Sequence, residues 1–329
     1  MLTPRENAMA IYEGRQPDYY GDFIDAITYI KDPAWLADRV PQDGRIHTDS
    51  WETEFIFLPG SPGKHPHERP GGSVINDIEN WEEQLVVPDI DSFDWSSAIE
   101  QAVRIDRNER LVGVFNTAGL FERSHHLMGF EDALVNYLIH EEEVMGILEA
   151  RANFKIEYIT RIAAEIHPDI LFFQDDWGSK TNVFLRPDLW RRMIKPLHTK
   201  IVQAAHENGM IFMHHADCYC MPLVKDMVDM GIDVWQGVIP QNDIVEVQRI
   251  VEGKLAMTGG IDGALIDVEG AGEDEIRKEV RRAIDTYCPG GRFFPGITSG
   301  KLIHDRNQGI YKDEMTKYGR RWALDHPIS

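Results

Sequence analysis

The stretch IFMHHADCYCMP, Ile211 to Pro222, gathers two histidines, an aspartate and two of the chain's three cysteines behind an apolar run. Three chemistries are open there. Imidazole, carboxylate and thiolate are all zinc ligands, and His215, Asp217 and Cys218 are the set if a metal is held. His215 and Asp217 stand two apart and share a face if the strand persists, a workable spacing for a proton donor and its orienting partner. The third reading is a strand end with satisfied polar groups, in which Cys218 and Cys220 pack as small apolar side chains. A pair of carboxylates, Asp175 and Asp176, ends the run DILFFQDD. Neighbours on a strand point to opposite faces, so only one of the two is expected to enter a site directly. The loop GKHPHERP offers an H-x-H pair for a metal, but its proline and glycine mark it as a surface loop.

The elements that would position these groups alternate along the second two-thirds of the chain. Strand-like runs RLVGVFN, DILFFQDD, GMIFMHH, DVWQGVI, KLAMTGGID and GRFFPGIT are separated by helix-period segments, among them EEEVMGILEARANFKIEYITRIAAEI and a helix opened by Pro187. Such alternation implies parallel βα units. Each strand ends in polar or small residues: Asn116, Asp175 with Asp176, His214 with His215 and Asp217, Gln236, Asp262 and Thr298. In a (β/α)8 barrel the site is built from those ends. The expectation is an α/β fold, a single (β/α)8 TIM barrel over residues 1–329 with an N-terminal cap segment. The rival, a doubly wound sheet, lacks its nucleotide fingerprints: no G-x-G-x-x-G follows a strand and there is no Walker loop.

The formal net charge of −21, from 55 acidic and 34 basic side chains, disfavours nucleic acid as a partner. A polyanionic substrate would need a local basic cleft working against that field. No apolar run approaches the roughly 18 residues of a membrane span. The charged N-terminal stretch MLTPRENAMAIYEGR does not read as a secretory signal, and three cysteines build no disulfide framework, so a cytoplasmic location is expected.

Taken together, DDWGS, LRPDLWRRMIKPLHTKIVQAAHENG, MHHAD and LAMTGGID resemble the uroporphyrinogen decarboxylase superfamily, which includes methyltransferases that exchange methyl groups with corrinoid proteins. GLFERSHHLMGFEDALVNYLIHEEEV and the N-terminal MLTPRENAMAIYEGRQPD fit as well, so the resemblance spans the chain. It implies a (β/α)8 barrel and, by carry-over alone, association of two copies. Two departures bear on activity. The R-Q-A-G-R segment of the porphyrinogen decarboxylases is replaced by Arg15-Gln16-Pro17, which argues against tetrapyrrole decarboxylation. The His-x-Cys zinc pair of the thiol methyltransferases falls on His215-Ala216-Asp217, and Ile297 stands where their distant cysteine would be.

A zinc-bound thiolate suits methyl transfer to a thiol, so losing two thiolate ligands points away from that substrate. Taking a methyl group from an ether requires instead a proton or hydrogen bond for the departing oxygen. The expected activity is therefore a cobalamin-dependent O-demethylation in anaerobic metabolism. The methyl group of a small methoxylated compound, a phenyl methyl ether, passes to a separate corrinoid protein. Asp217, His215 and Asp176 are the expected catalytic residues. His214, Asp175, Trp177, Asn116, Tyr219, Gln236 and Asp262 are the expected substrate-binding ones, and Phe121 and Trp235 are further aromatic candidates for stacking. The alternatives are a decarboxylase of another substrate and a zinc-dependent corrinoid or thiol methyltransferase.

Overall fold

In the computed structural model, which describes residues 1–61, 63–67, 72–298 and 300–328, seven parallel strands lie side by side in chain order. They are β1 (Ile27–Ile30), β5 (Leu111–Asn116), β6 (Ile170–Gln174), β7 (Ile211–His215), β8 (Val234–Val238), β9 (Ala256–Gly260) and β10 (Phe293–Gly296). Every residue of β8, β9 and β10 is buried, as expected of strands covered on both faces. The six strands foreseen from β5 onward are all present, and helices follow them on the outside of a curled, TIM-barrel-like sheet.

Between β1 and β5 the chain forms a three-stranded antiparallel ribbon of β2 (Ile46–Thr48), β3 (Glu54–Ile56) and β4 (His65–Pro66). This is the N-terminal cap, and it brings Gly63 and His65 to the mouth of the barrel. The two edge strands, β1 and β10, are not paired with each other among the described residues. The segment leading into β1 covers that seam. Phe23 packs on Phe294 with ring centroids 4.6 Å apart, and the Asp22 carboxylate accepts from the Thr258 hydroxyl at 3.0 Å.

The long helical pattern is one helix, Glu141–Ile166. The helix opened by Pro187 is two, Pro187–Met193 and Lys195–Glu207. Pro196 has no N–H to carry the hydrogen-bond ladder across the junction, so the second helix starts afresh. Among the described residues no helix is long and apolar enough to cross a membrane.

Candidate active site

Sheet register sets one level of the site: Gln174, His215, Gln236 and Thr258 are lateral neighbours on β6 to β9. Alternation along β6 and β7 turns Phe172, Gln174 and His215 into the barrel and Phe173 and His214 toward the helices. It continues past β6, where Asp176 faces inward and Asp175 outward. Asp176, His215 and Asp217 each offer an atom within 4.8 Å of the others, along a cleft of about 870 Å³. Tyr29, Trp35, Phe115 and Phe172 supply its aromatic walls.

Each polar group is held by a neighbour. The Asp217 amide donates to the Asp176 carboxylate at 2.8 Å, and the Lys180 ammonium donates to the Asp217 carboxylate at 3.1 Å. Gln236 donates through its amide nitrogen to the Thr298 carbonyl at 3.1 Å, which turns its oxygen onto His215 Nδ1. A carbonyl oxygen only accepts, so Nδ1 is the ring nitrogen that donates to Gln236. Burial pushes Asp176 up to about 6, with His215 opposing and Asp217 adding to the rise. Glu122, in the first turn of the helix Leu120–Met128, is raised well above the carboxylate range by burial and then by Asp176 and Asp175. Its Oε1 accepts from Gln174 at 3.3 Å, and its Oε2 has no partner among the described residues. The site therefore keeps protons at a pH where solvent-exposed carboxylates have lost theirs.

Of the ten residues singled out for catalysis or substrate binding, Asp176, His215 and Asp217 line this cleft and Gln236 orients one of them. The others lie elsewhere. Asp175 is fully buried, where the amides of Leu120, Phe121 and Glu122 and the Trp177 indole donate to it at 2.9 to 3.2 Å. It caps that helix from another element, and a Cβ at Gly119 would collide with it at 2.4 Å. His214 and Trp177 stack at 4.2 Å in the layer between sheet and helices, and burial drives the His214 pKa well below its ordinary value. Asn116 is bound by Lys155, and Asp262 caps Ala264 at 3.0 Å. Tyr219 is half-buried, its amide donating to the Ser179 carbonyl at 2.7 Å.

Cys218 does not join the trio. Its Sγ sits 3.4 Å from that of Cys220, both buried, and Asp176 takes the place expected of it. Phe121 and Trp235 are core residues. In the GKHPHERP loop His65 lines the cleft and His67 does not, while Glu68, Arg69 and Pro70 lie outside the described residues.

Several residues were not anticipated: Gln174, Tyr29, Phe115 and Phe172 line the cleft, while Lys180 bonds Asp217 and Glu122 bonds Gln174 from beside it. Gln174 and Phe172 were legible, since stepping back by two from Asp176 reaches both. Glu122 comes from a helix that only the fold brings over Asp176, and no local signal marks it.

The fold resembles that of a methyltransferase from Methanosarcina mazei, with a TM-score of 0.67 at 15% identity over 97% of this chain and 99% of that one. Weaker similarities are to a glycosylated endo-beta-1,4-xylanase of glycoside hydrolase family 10 from Gloeophyllum trabeum and to xylanase B from Clostridium stercorarium F9. The first has a TM-score of 0.43 at 10% identity, covering 69% of this chain and 82% of that one; the second 0.39 at 13%, covering 65% and 74%. No curated protein sequence matches the chain. The sequence pattern described as uroporphyrinogen decarboxylase (URO-D) matches residues 121–295, more than half of the 329 residues, and includes β6 to β9 with the acid–imidazole trio. The chain belongs to the uroporphyrinogen decarboxylase (URO-D) family.

Proposed function

We propose that the protein is a methyltransferase that demethylates a small methoxylated compound, a phenyl methyl ether, and passes the methyl group to a corrinoid on a separate protein. The observation that carries this reading is the convergence of Asp176, His215 and Asp217 on an aromatic-walled cleft. The methyltransferase identity of the Methanosarcina mazei neighbour is in keeping with it. An aryl ether releases its methyl group as the oxygen leaves, and a proton or hydrogen bond stabilises that oxygen. Asp176, which burial keeps protonated to higher pH, is the proton donor. Asp217 holds it through the backbone amide, and His215, fixed by Gln236, brings its ring within 4.8 Å of both.

The corrinoid, when its carrier is bound, supplies a cobalt(I) nucleophile for the methyl carbon. A cleft of about 870 Å³ has the size of a small-ligand site, so the residues of this chain fit a substrate inside and the macrocycle at the mouth. Among the described residues no arginine lines the cleft, whereas a polycarboxylate tetrapyrrole would call for several. That favours demethylation over the decarboxylase alternative.

A second reading rests on the same trio, because two carboxylates and an imidazole suit zinc with an open coordination position. Asp176, His215 and Asp217 would hold the ion, which would polarise the ether oxygen. Metal analysis of protein purified without chelator separates the two readings: stoichiometric zinc lost in His215→Ala supports the second, and its absence the first.

The deciding experiment mixes the protein anaerobically with a reduced corrinoid carrier and a panel of methoxyarenes and follows the cobalt(I) absorption. Loss of the band with release of the matching phenol is the expected result, slowed at least about a hundredfold in Asp176→Asn. An unchanged band with every donor, while a known enzyme methylates the same carrier, rejects the reading.

A further inference from the structure

Beside the cleft, and sharing Trp35 and Phe115 with it, lies a recess of about 20 Å³. Its wall carries two cations that the proposed chemistry does not use. Arg151 and Lys155 stand one turn apart on the helix Glu141–Ile166, and each is at most 2% exposed. Lys155 donates to the Thr117 carbonyl at 2.9 Å and to the Asn116 side chain. One Nη of Arg151 donates to the carbonyls of Thr117 and Ala118, at 3.1 and 2.5 Å. Its Nε and other Nη have no partner among the described residues.

The neighbouring carboxylates act on Arg151 through space but spend their hydrogen bonds on other groups. Asp38, which also lines the recess, and Asp49 hold the Arg123 guanidinium at 3.1 and 2.5 Å. Asp32 accepts from the Tyr158 hydroxyl and the Trp35 amide, each at 3.0 Å. Lys64 adds a further cation by donating to the Asp38 carbonyl at 2.6 Å. Among the described residues neither Arg151 nor Lys155 has a carboxylate of its own. Burial lowers the pKa of both well below their ordinary values, with Asp38 and Asp175 opposing, and the Arg151 guanidinium lies over the Trp51 ring, 4.3 Å from its centroid. A buried charge is tolerated when it is paired, and the missing partner here is an anion.

Size and shape restrict which anion. The recess is little larger than the roughly 10–15 Å³ that one water requires, which favours the smallest anionic head. The flat head of a carboxylate fits, and a guanidinium edge with unpartnered donors matches it. From the recess to the acid trio the floor is aromatic. Phe115 lies 4.5 Å from Phe172, and Phe172 lies 5.5 Å from the His215 ring.

We propose that Arg151 and Lys155 form a subsite for a single carboxylate of the substrate, which is therefore an aromatic monocarboxylic acid lying across Phe115 and Phe172. The carboxylate anchors one end, and the ring places the reacting group at Asp176, His215 and Asp217. That this group is a methoxy rests on the demethylase reading; the subsite itself does not. It also resolves how so acidic a chain takes an anion, with local positive charge set inside a negative field.

Calorimetric titration of the purified protein with benzoate, benzamide and inorganic phosphate, without corrinoid carrier, tests the subsite. Benzoate is expected to bind at least about tenfold more tightly than benzamide or phosphate. Lys155→Met should remove that preference. Comparing the ligands on the unaltered protein needs no variant, so misfolding of Lys155→Met leaves the test intact. Equal affinities for benzoate and benzamide, no binding of either, or phosphate binding as well as benzoate overturns the assignment. Since no methyl transfer is read, failure here and failure of the demethylase reading are distinct results.

Discussion

Asp176 is where electrostatics and proposed chemistry meet. Its folded-state pKa of about 6 lies above the ordinary 3.8, mainly because burial disfavours the charged form. A general acid must hold its proton, so kcat/KM for demethylation is expected to fall as pH rises through about 6, and Asp176→Asn to lack that limb. The same shift has a stability sign. The folded chain binds this proton more tightly than the unfolded one, so stability is lost as pH rises from about 4 to about 6. Asp176→Asn should therefore be more stable than the parent at pH 7, by about 1–2 kcal/mol, with the gain vanishing below pH 4. Chemical denaturation of both proteins at the two pH values checks this, and a less stable Asn variant at pH 7 contradicts it. A carboxylate that weakens the fold yet sits in the cleft is consistent with a role in chemistry.

At the scale of the element, β8 shows how backbone geometry aims a side chain. Its register against β9 slips between Gln236 and Val238, and Gly237 takes a φ of +88° that other residues rarely adopt. A Cβ there would lie 3.1 Å from the His215 ring and 3.3 Å from the Asp217 Cβ. Glycine at the bulge thus leaves room for the histidine that Gln236 orients from the preceding position. Gly237→Ala is expected to cost about 1–2 kcal/mol of stability through the backbone. It should also slow methyl transfer at least about tenfold by displacing His215. Thermal melting and the cobalt(I) assay read the two effects separately; full activity in a folded Gly237→Ala protein would remove His215 from the mechanism. Capping of the helix Leu120–Met128 by Asp175 belongs to this scale too, because it sets where Glu122 meets Gln174 beside the cleft.

For the whole molecule the instructive place is the seam between β1 and β10, covered by Asp22 and Phe23. Burial, with Asp25 adding to it, raises Asp22 to about 7 from an ordinary 3.8. Folding therefore favours its protonated form, and this contribution to stability declines as pH rises from about 4 through 7. Asp22→Asn is expected to raise the stability at pH 8 by roughly 3 kcal/mol and to flatten the pH dependence between 5 and 8. Denaturant titrations of both proteins across that range decide the matter; parallel curves would place the sensitivity elsewhere. The seam also joins the chain's two ends, since Tyr20 meets Trp322 of the last helix with ring centroids 5.0 Å apart.

What was legible in the sequence is what period and alternation encode locally. Six apolar runs became β5 to β10, the 26-residue helix appeared where its pattern lay, and adjacent Asp175 and Asp176 parted to opposite faces. His215 and Asp217 came to one cleft because a spacing of two keeps residues on one face. Tertiary structure alone decided the rest. His214 and Trp177 stand at strand ends as a site would require, yet strand alternation and the covering helices bury them outside the cleft. Glu122, Tyr29 and the unpaired Arg151 and Lys155 reach their places from distant stretches of chain. Whether such a side chain faces a ligand or the core depends on what packs over it, and that is a property of the folded barrel, not of its neighbours in sequence.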